Sequence, residues 1–279
     1  MKDLIQKKLE SYHAQNAQEE ENAIKEITQE VALYALAKCG FFEKAVFQGG
    51  TCLRIVHGLD RFSEDLDFTL VSPDADFMLT SYLEAVAHAM RVYGYEIEVG
   101  GNEKPERNVK AQFLKDSSIK RLLALRHLSD LKKKINIKIE VDANPPAGAA
   151  QEVKFLDFPT DFSISTYDLG SLFAGKLHAL LCRPFVKGRD WYDFSWYISQ
   201  RISPNYVLLG HALAQYGPWS GQSIQVDRTW LVQQMSEKIA SLQWSEAFKD
   251  VSPFLKAEKS AELRTLWSRE FFLAKLSKI

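Results

Sequence analysis

Hydrophobic and polar positions change period along this chain. Residues 1 to about 40 keep a helical period: residues 19–30 are rich in Glu, Ala and Lys, residues 31–39 are mostly apolar, and Gly40 stops the run. Shorter elements follow. The pattern predicts a strand at 45–48, a helix at 51–57 ended by Gly58, a strand at 66–71 and a helix at 76–93 ended by Gly94. Residues 96–99 read as a strand, and 109–114 as a weaker one. The cleanest strand is 135–142, where Ile135, Ile137, Ile139 and Val141 share one face and Lys138, Glu140 and Asp142 the other. From Asp168 onward the period is helical, over 168–183, 190–201, 204–216, 228–241 and 260–277. The expected architecture is an α/β (α+β) core with a mixed sheet at residues 1–160 and a mostly α-helical domain at 161–279. The boundary is placed near 158–160.

Composition narrows the class without naming a function. The 279 residues are 46% hydrophobic and carry a formal net charge of -1, enough for a substantial core and too neutral for a globally basic nucleic-acid binder. Three cysteines (Cys39, Cys52, Cys182) without motif spacing suit a reduced compartment and packing roles. Residues 1–30 are too charged for a signal peptide, and no apolar run reaches membrane-spanning length. A soluble cytoplasmic protein is expected.

The chemistry concentrates at residues 47–68. Gly49-Gly50-Thr51 suits a phosphate, because glycine lets backbone N–H groups approach closely and the following helix offers its positive end. Fourteen residues separate Gly50 from Asp65, and Asp65-Leu66-Asp67 alternates with period two, which points both carboxylates to one strand face. Two carboxylates beside a phosphate cradle are what a hard divalent ion bridging protein and nucleotide requires. If strand 135–142 lies alongside, Glu140, or failing it Asp142, supplies a third carboxylate. Further on, Lys176 sits in the middle of an apolar helical stripe, an expensive place for an unpaired ammonium. Arg189, Asp190 and Asp193 follow it, the two aspartates sharing a helix face.

These runs (Gly49-Gly-Thr, Arg61-Phe-Ser-Glu-Asp-Leu-Asp-Phe68, Lys138-Ile-Glu-Val-Asp142, Ala174-Gly-Lys-Leu-His-Ala179 and Gly188-Arg-Asp-Trp-Tyr-Asp193) resemble the AbiEii/AbiGii nucleotidyltransferase toxin family of the polymerase-β-like superfamily. The resemblance covers about residues 30–200. It implies that Gly49, Gly50 and Thr51 bind nucleotide phosphates, with Arg61 and Ser63 close by. Asp65 and Asp67 would hold one or two Mg²⁺ ions, joined by Glu140. Lys176 and Asp190 would be catalytic, Lys176, Arg189 and Asp193 would meet the nucleotide, and the helical domain would complete the active site. The implied activity is transfer of a nucleoside monophosphate from an NTP to an acceptor, first of all the tRNA 3′ end. A cognate antitoxin is the implied protein partner. A protein or small-molecule hydroxyl as acceptor, and a nucleotide-binding module without turnover, are the alternatives. Residues 115–138 hold eight Lys or Arg against Asp116 and Asp130 and form a candidate RNA surface.

Overall fold

The alternating residues of the predicted strands assemble into one mixed sheet of seven strands in the computed structural model, which describes residues 2–101 and 108–279. The chain divides into two compact units, Met1–Pro145 with Glu152–Thr166, and Pro146–Gln151 with Tyr167–Ile279. The first unit runs α1 (Lys2–Ser11), α2 (Ala17–Lys38), β1 (Ala45–Gln48), α3 (Gly49–His57), β2 (Leu66–Leu70), α4 (Leu79–Met90), β3 (Ile97–Gly100), β4 (Val109–Asp116), α5 (Ile119–Leu122), β5 (Ile135–Asp142), β6 (Gln151–Leu156) and β7 (Phe162–Tyr167). The sheet order is β3-β4-β5-β2-β1-β7-β6. β1 is antiparallel to β2 and parallel to β7, and β2 is parallel to β5.

The faces of the sheet follow the sequence alternation. Ile135, Ile137, Ile139 and Val141 of β5 are buried, as are Leu66, Phe68 and Leu70 of β2. Phe68 packs against Phe41 and Phe47 at ring separations of 4.9 and 5.2 Å. Asp67, Lys138, Glu140 and Asp142 take the alternate positions. The pairing of Asp67 with Glu140 sets the polar positions of β2 and β5 side by side.

The elements differ from the sequence pattern at several places. The single helix expected over residues 1–40 is two, because Asn16 caps α2 by accepting from the Glu19 N–H, and His13 at φ +50 turns the chain before it. Glu19, Glu20, Glu21 and Glu26 of α2 are buried. Glu20 accepts from the N–H groups of Arg126, His127 and Leu128 at 2.7, 2.9 and 2.8 Å, while Glu26 takes Arg54 and Tyr12. Strands β6 and β7 are additional to those expected.

The second unit is helical: α6 (Leu169–Cys182), α7 (Gly188–Ser199), α8 (Tyr206–Gln215), α9 (Arg228–Ala240), α10 (Trp244–Val251), α11 (Ala257–Leu266) and α12 (Arg269–Leu276). The helix expected at 260–277 is interrupted where Ser268 caps α12, and α10 is an additional helix. Trp191, Trp244 and Phe272 form the aromatic centre, with Trp244 stacked on Phe272 at 4.1 Å. Gly188 opens α7 where a Cβ would drive into the Ala247 carbonyl of α10, so only glycine lets these helices approach. The alternation and helical periods thus produce the expected α/β core with a mixed sheet and a helical C-terminal part. Among the described residues no helix is long and apolar enough to cross a membrane.

Candidate active site

In the sheet unit the glycine pair forms the first turn of α3. Gly49 has φ +81, a conformation open to glycine, and a Cβ there would collide with the Asp67 side chain. A Cβ on Gly50 would lie 2.6 Å from Arg61 Nη2 and 3.0 Å from Ser63 Oγ. The N-terminal turn of α3, Arg61, Ser63 and Asp67 are therefore packed around two missing side chains. Thr51 is buried, and its hydroxyl donates to the Asp65 carbonyl, which fixes the residue just ahead of β2. Arg61 is also buried and donates to the Phe62 carbonyl at 2.9 Å. Cys52, next in α3, lies buried 3.0 Å from the Thr166 hydroxyl, and burial pushes its thiol up to about 12.

Asp67 and Glu140 are register partners on neighbouring strands. Glu140 Oε1 is 2.8 Å from Lys138 Nζ, one residue pair along the same face of β5. Partial burial lowers the Lys138 pKa, but the hydrogen bond and charge of Glu140, with the charges of Asp65 and Asp67, outweigh it and hold it above the ordinary lysine value. Glu140, Asp65 and Asp67 thus all act electrostatically on Lys138. Asp142 pairs with Thr69 in register and its carboxylate accepts from the Asn144 N–H, which engages it in the turn after β5.

Among the described residues no three His, Cys, Asp or Glu side chains are grouped as an all-protein ion cage. A magnesium ion that travels with a nucleotide needs no such cage, because one or two carboxylates and the substrate phosphates share its shell with water. Asp65 and Asp67 match that donor set, and the missing side chain of Gly49 lets the Asp67 carboxylate lie directly against the first turn of α3.

The helical unit has its own charged centre. Lys176 of α6 reaches Asp190 Oδ1 at 2.7 Å and Asp193 Oδ2 at 2.8 Å, both on α7 and both buried. The expensive ammonium in the apolar stripe is therefore satisfied by the two aspartates three residues apart. Burial would raise the Asp190 carboxyl, but Lys176, Arg183 and Lys187 bring it down to about 2. Arg183, at the end of α6, stands 3.2 Å from Asp190 Oδ2 as an ion pair rather than an aligned hydrogen bond. Its position seven residues after Lys176 on one helical stripe was the available signal. Arg189 takes another direction: its backbone N–H donates to Asp250 at 3.1 Å and its guanidinium lies 4.3 Å from the Phe254 ring.

The basic tract at residues 115–138 is partly compensated. Lys133 pairs with Glu21 at 3.0 Å, Lys134 with Glu98 at 2.7 Å, and Lys138 with Glu140. Its loop is pinned to α2 through Glu20, and Arg126 and Lys132 stay exposed.

Comparisons with known proteins add to this geometry. A family model described as nucleotidyl transferase AbiEii toxin, type IV TA system, matches residues 31–275. No curated protein sequence matches this chain. Among solved structures, JHP933 from Helicobacter pylori is 18% identical, with a TM-score of 0.50 over 91% of this chain and 94% of that one. A candidate nucleotidyltransferase from H. pylori is 19% identical, with a TM-score of 0.47 over 90% and 96% of the two chains. The JHP933 likeness is one of fold.

Proposed function

Because the chain belongs to the AbiEii family of nucleotidyltransferase toxins from type IV toxin–antitoxin systems, we propose that it transfers a nucleoside monophosphate from an NTP to the 3′ end of tRNA in the bacterial cytoplasm. The observation that carries this reading is the placement of Asp65 and Asp67 beside the glycine turn of α3, with Lys138 and Glu140 on the adjoining strand.

Asp65 and Asp67 would hold Mg²⁺, which when bound neutralises phosphate charge and polarises the α-phosphorus. The orphan N–H groups in the first turn of α3 would take phosphate oxygens, and Arg61 and Ser63 keep that turn in shape. The acceptor hydroxyl oxygen bonds to the α-phosphorus as the α–β anhydride bond breaks and pyrophosphate leaves. Glu140 would take the hydroxyl proton, its charge meanwhile held by Lys138. Lys176, Asp190 and Asp193 arrive preassembled as a fixed charged framework of the helical unit. A cognate antitoxin would restrain the activity in the cell.

The test is label transfer. Purified chain, Mg²⁺, bacterial tRNA and each α-labelled NTP in turn should give labelled tRNA with one nucleotide and none with Asp65→Ala or Asp67→Ala. Label on protein in place of RNA would replace tRNA as the acceptor. No label with any acceptor, and no pyrophosphate release, would end the enzymatic reading.

A further inference from the structure

The register of β2 and β5 brings together acids whose carboxylates nevertheless stay apart. Asp67 and Glu140 are partners, and the same register continued one pair back sets Asp65 against Lys138. Three acids therefore start from neighbouring positions on one sheet face, the beginning of a cage for a divalent ion. Among the described residues, however, no three acids are grouped closely enough to hold one. Glu140 Oε1 lies instead 2.8 Å from Lys138 Nζ, a contact that runs along β5 and not across to β2. On the other flank β4 sets Ala111 beside Glu140 and Phe113 beside Lys138, so it brings no competing charge to the pair. Asp65 and Asp67 act on the same ammonium from the β2 side.

On the reading that Asp65 and Asp67 hold the metal, we propose that Lys138 keeps Glu140 away from them, so that the site takes a divalent ion only together with the phosphates of a nucleotide. Two carboxylates leave an ion dependent on phosphate oxygens for much of its shell, whereas a third would let it bind without nucleotide. The ammonium also opposes a bare cation by its own charge, and the phosphates of a nucleotide offset that repulsion. Held by Lys138, Glu140 stays available to take the hydroxyl proton instead of being tied up as a metal ligand. Lys138 is thus a positioning residue, acting through the carboxylate it holds.

The experiment uses Mn²⁺ alone, without nucleotide or turnover. Mn²⁺ takes the same oxygen ligands as Mg²⁺, and electron paramagnetic resonance reads its free fraction. Lys138→Met should tighten Mn²⁺ binding about tenfold or more, the consequence of one added carboxylate ligand. Lys138→Arg keeps the ion pair and should stay within about threefold of wild type. Loss of a positive charge attracts a cation in any case, so the comparison is repeated in a Glu140→Gln background. There Lys138→Met should gain less than about threefold, because no carboxylate is left to swing across. Equal gains in the two backgrounds, or no gain in either, would overturn the proposal. Circular dichroism checks each variant, and the half-exposed pair leaves little of the fold resting on it.

Two further outcomes separate the lysine's role from the reaction. Asp67→Asn added to Lys138→Met should abolish the gained affinity; a gain that persists would put the ion elsewhere and remove the metal assignment along with the proposal. A protein that shows the expected pattern of gains yet labels no acceptor keeps the role of Lys138 and loses the proposed reaction. One that transfers nucleotide without the gain keeps the reaction and loses the role of Lys138.

Discussion

The two units each contain a lysine held by carboxylates, and they are built in opposite ways. In the sheet unit, Lys138 and Glu140 meet at 2.8 Å with side chains 33% and 30% exposed. In the helical unit, Lys176, Asp190 and Asp193 meet at similar distances with exposures of 11%, 4% and 0%. An exposed pair is screened and can exchange partners at little cost, so a ligand can take one member without unfolding its surroundings. The buried triad cannot do so, because losing one member leaves charge stranded in a low-dielectric interior. The sheet unit therefore presents groups that can be redirected by a ligand, and the helical unit presents a fixed framework.

The sharpest break in that comparison is catalytic. Asp67→Ala should reduce nucleotidyl transfer by at least about a thousandfold, the scale expected when a group that holds a catalytic metal is removed. The fold should survive, since Asp67 projects from the half-covered face of β2. Pyrophosphate release and circular dichroism measured together decide the matter; retained turnover would remove Asp67 from the metal site.

Next in size is a stability contrast. Lys176→Met should cost about 3–5 kcal/mol, because Asp190 and Asp193 lose their shared cation in a buried setting. Lys138→Met should cost no more than about 1 kcal/mol. Urea unfolding of both variants tests the pair, and equal losses would show that the two clusters are not different in kind.

Burial alone does not lower a carboxyl, and Glu30 of the sheet unit shows the opposite outcome. Burial outweighs its 3.0 Å contact with Lys8 and raises its pKa to about 7, whereas Asp190, surrounded by three cations, falls to about 2. A carboxyl whose folded pKa is raised adds stability that is complete below its unfolded value, near 4.5, and lost as pH rises through 7. Wild type should therefore lose on the order of 3 kcal/mol relative to Glu30→Gln between pH 4 and pH 8. Melting temperatures of the two proteins across that range should diverge steadily; a constant difference would mean that Glu30 titrates normally.

How much of this was legible in the sequence depended on whether polarity followed burial. Strand β5 was readable because its isoleucines face inward and its charged residues outward, and the bounds of 135–142 coincide with those observed. Strand β6 was not, because its alternation runs the other way: Val153 and Phe155 are 60% and 81% exposed while Glu152 and Lys154 are partly covered. Lys176 could be singled out because an ammonium in an apolar stripe must find an anion, and two aspartates followed at helical spacing. Arg183 lay on the same stripe seven residues on, but an arginine at a helix end ordinarily reaches water, so that spacing was too weak a signal to separate it from a solvated residue. The buried hydroxyl of Thr51 shows a further limit. Its spacing suits phosphate binding, and only three-dimensional packing turns it toward the Asp65 carbonyl.

The smallest effect expected concerns the basic tract, where sequence and structure weigh differently. A local excess of six positive charges suggests a strong RNA contact. Lys133 and Lys134, however, already answer Glu21 and Glu98, so part of that charge is cancelled before any RNA arrives. Replacing Lys132, Lys133 and Lys134 together with Ala should raise the KM for tRNA only about two- to threefold, the scale of losing partly compensated surface charge. The KM for NTP should not move. The loop itself should keep its place, because Glu20 holds three of its backbone N–H groups independently of the lysines. A loss above about tenfold, steeper at low salt, would mean that RNA displaces the acids and recruits all three lysines; no change would move the RNA contact off this tract.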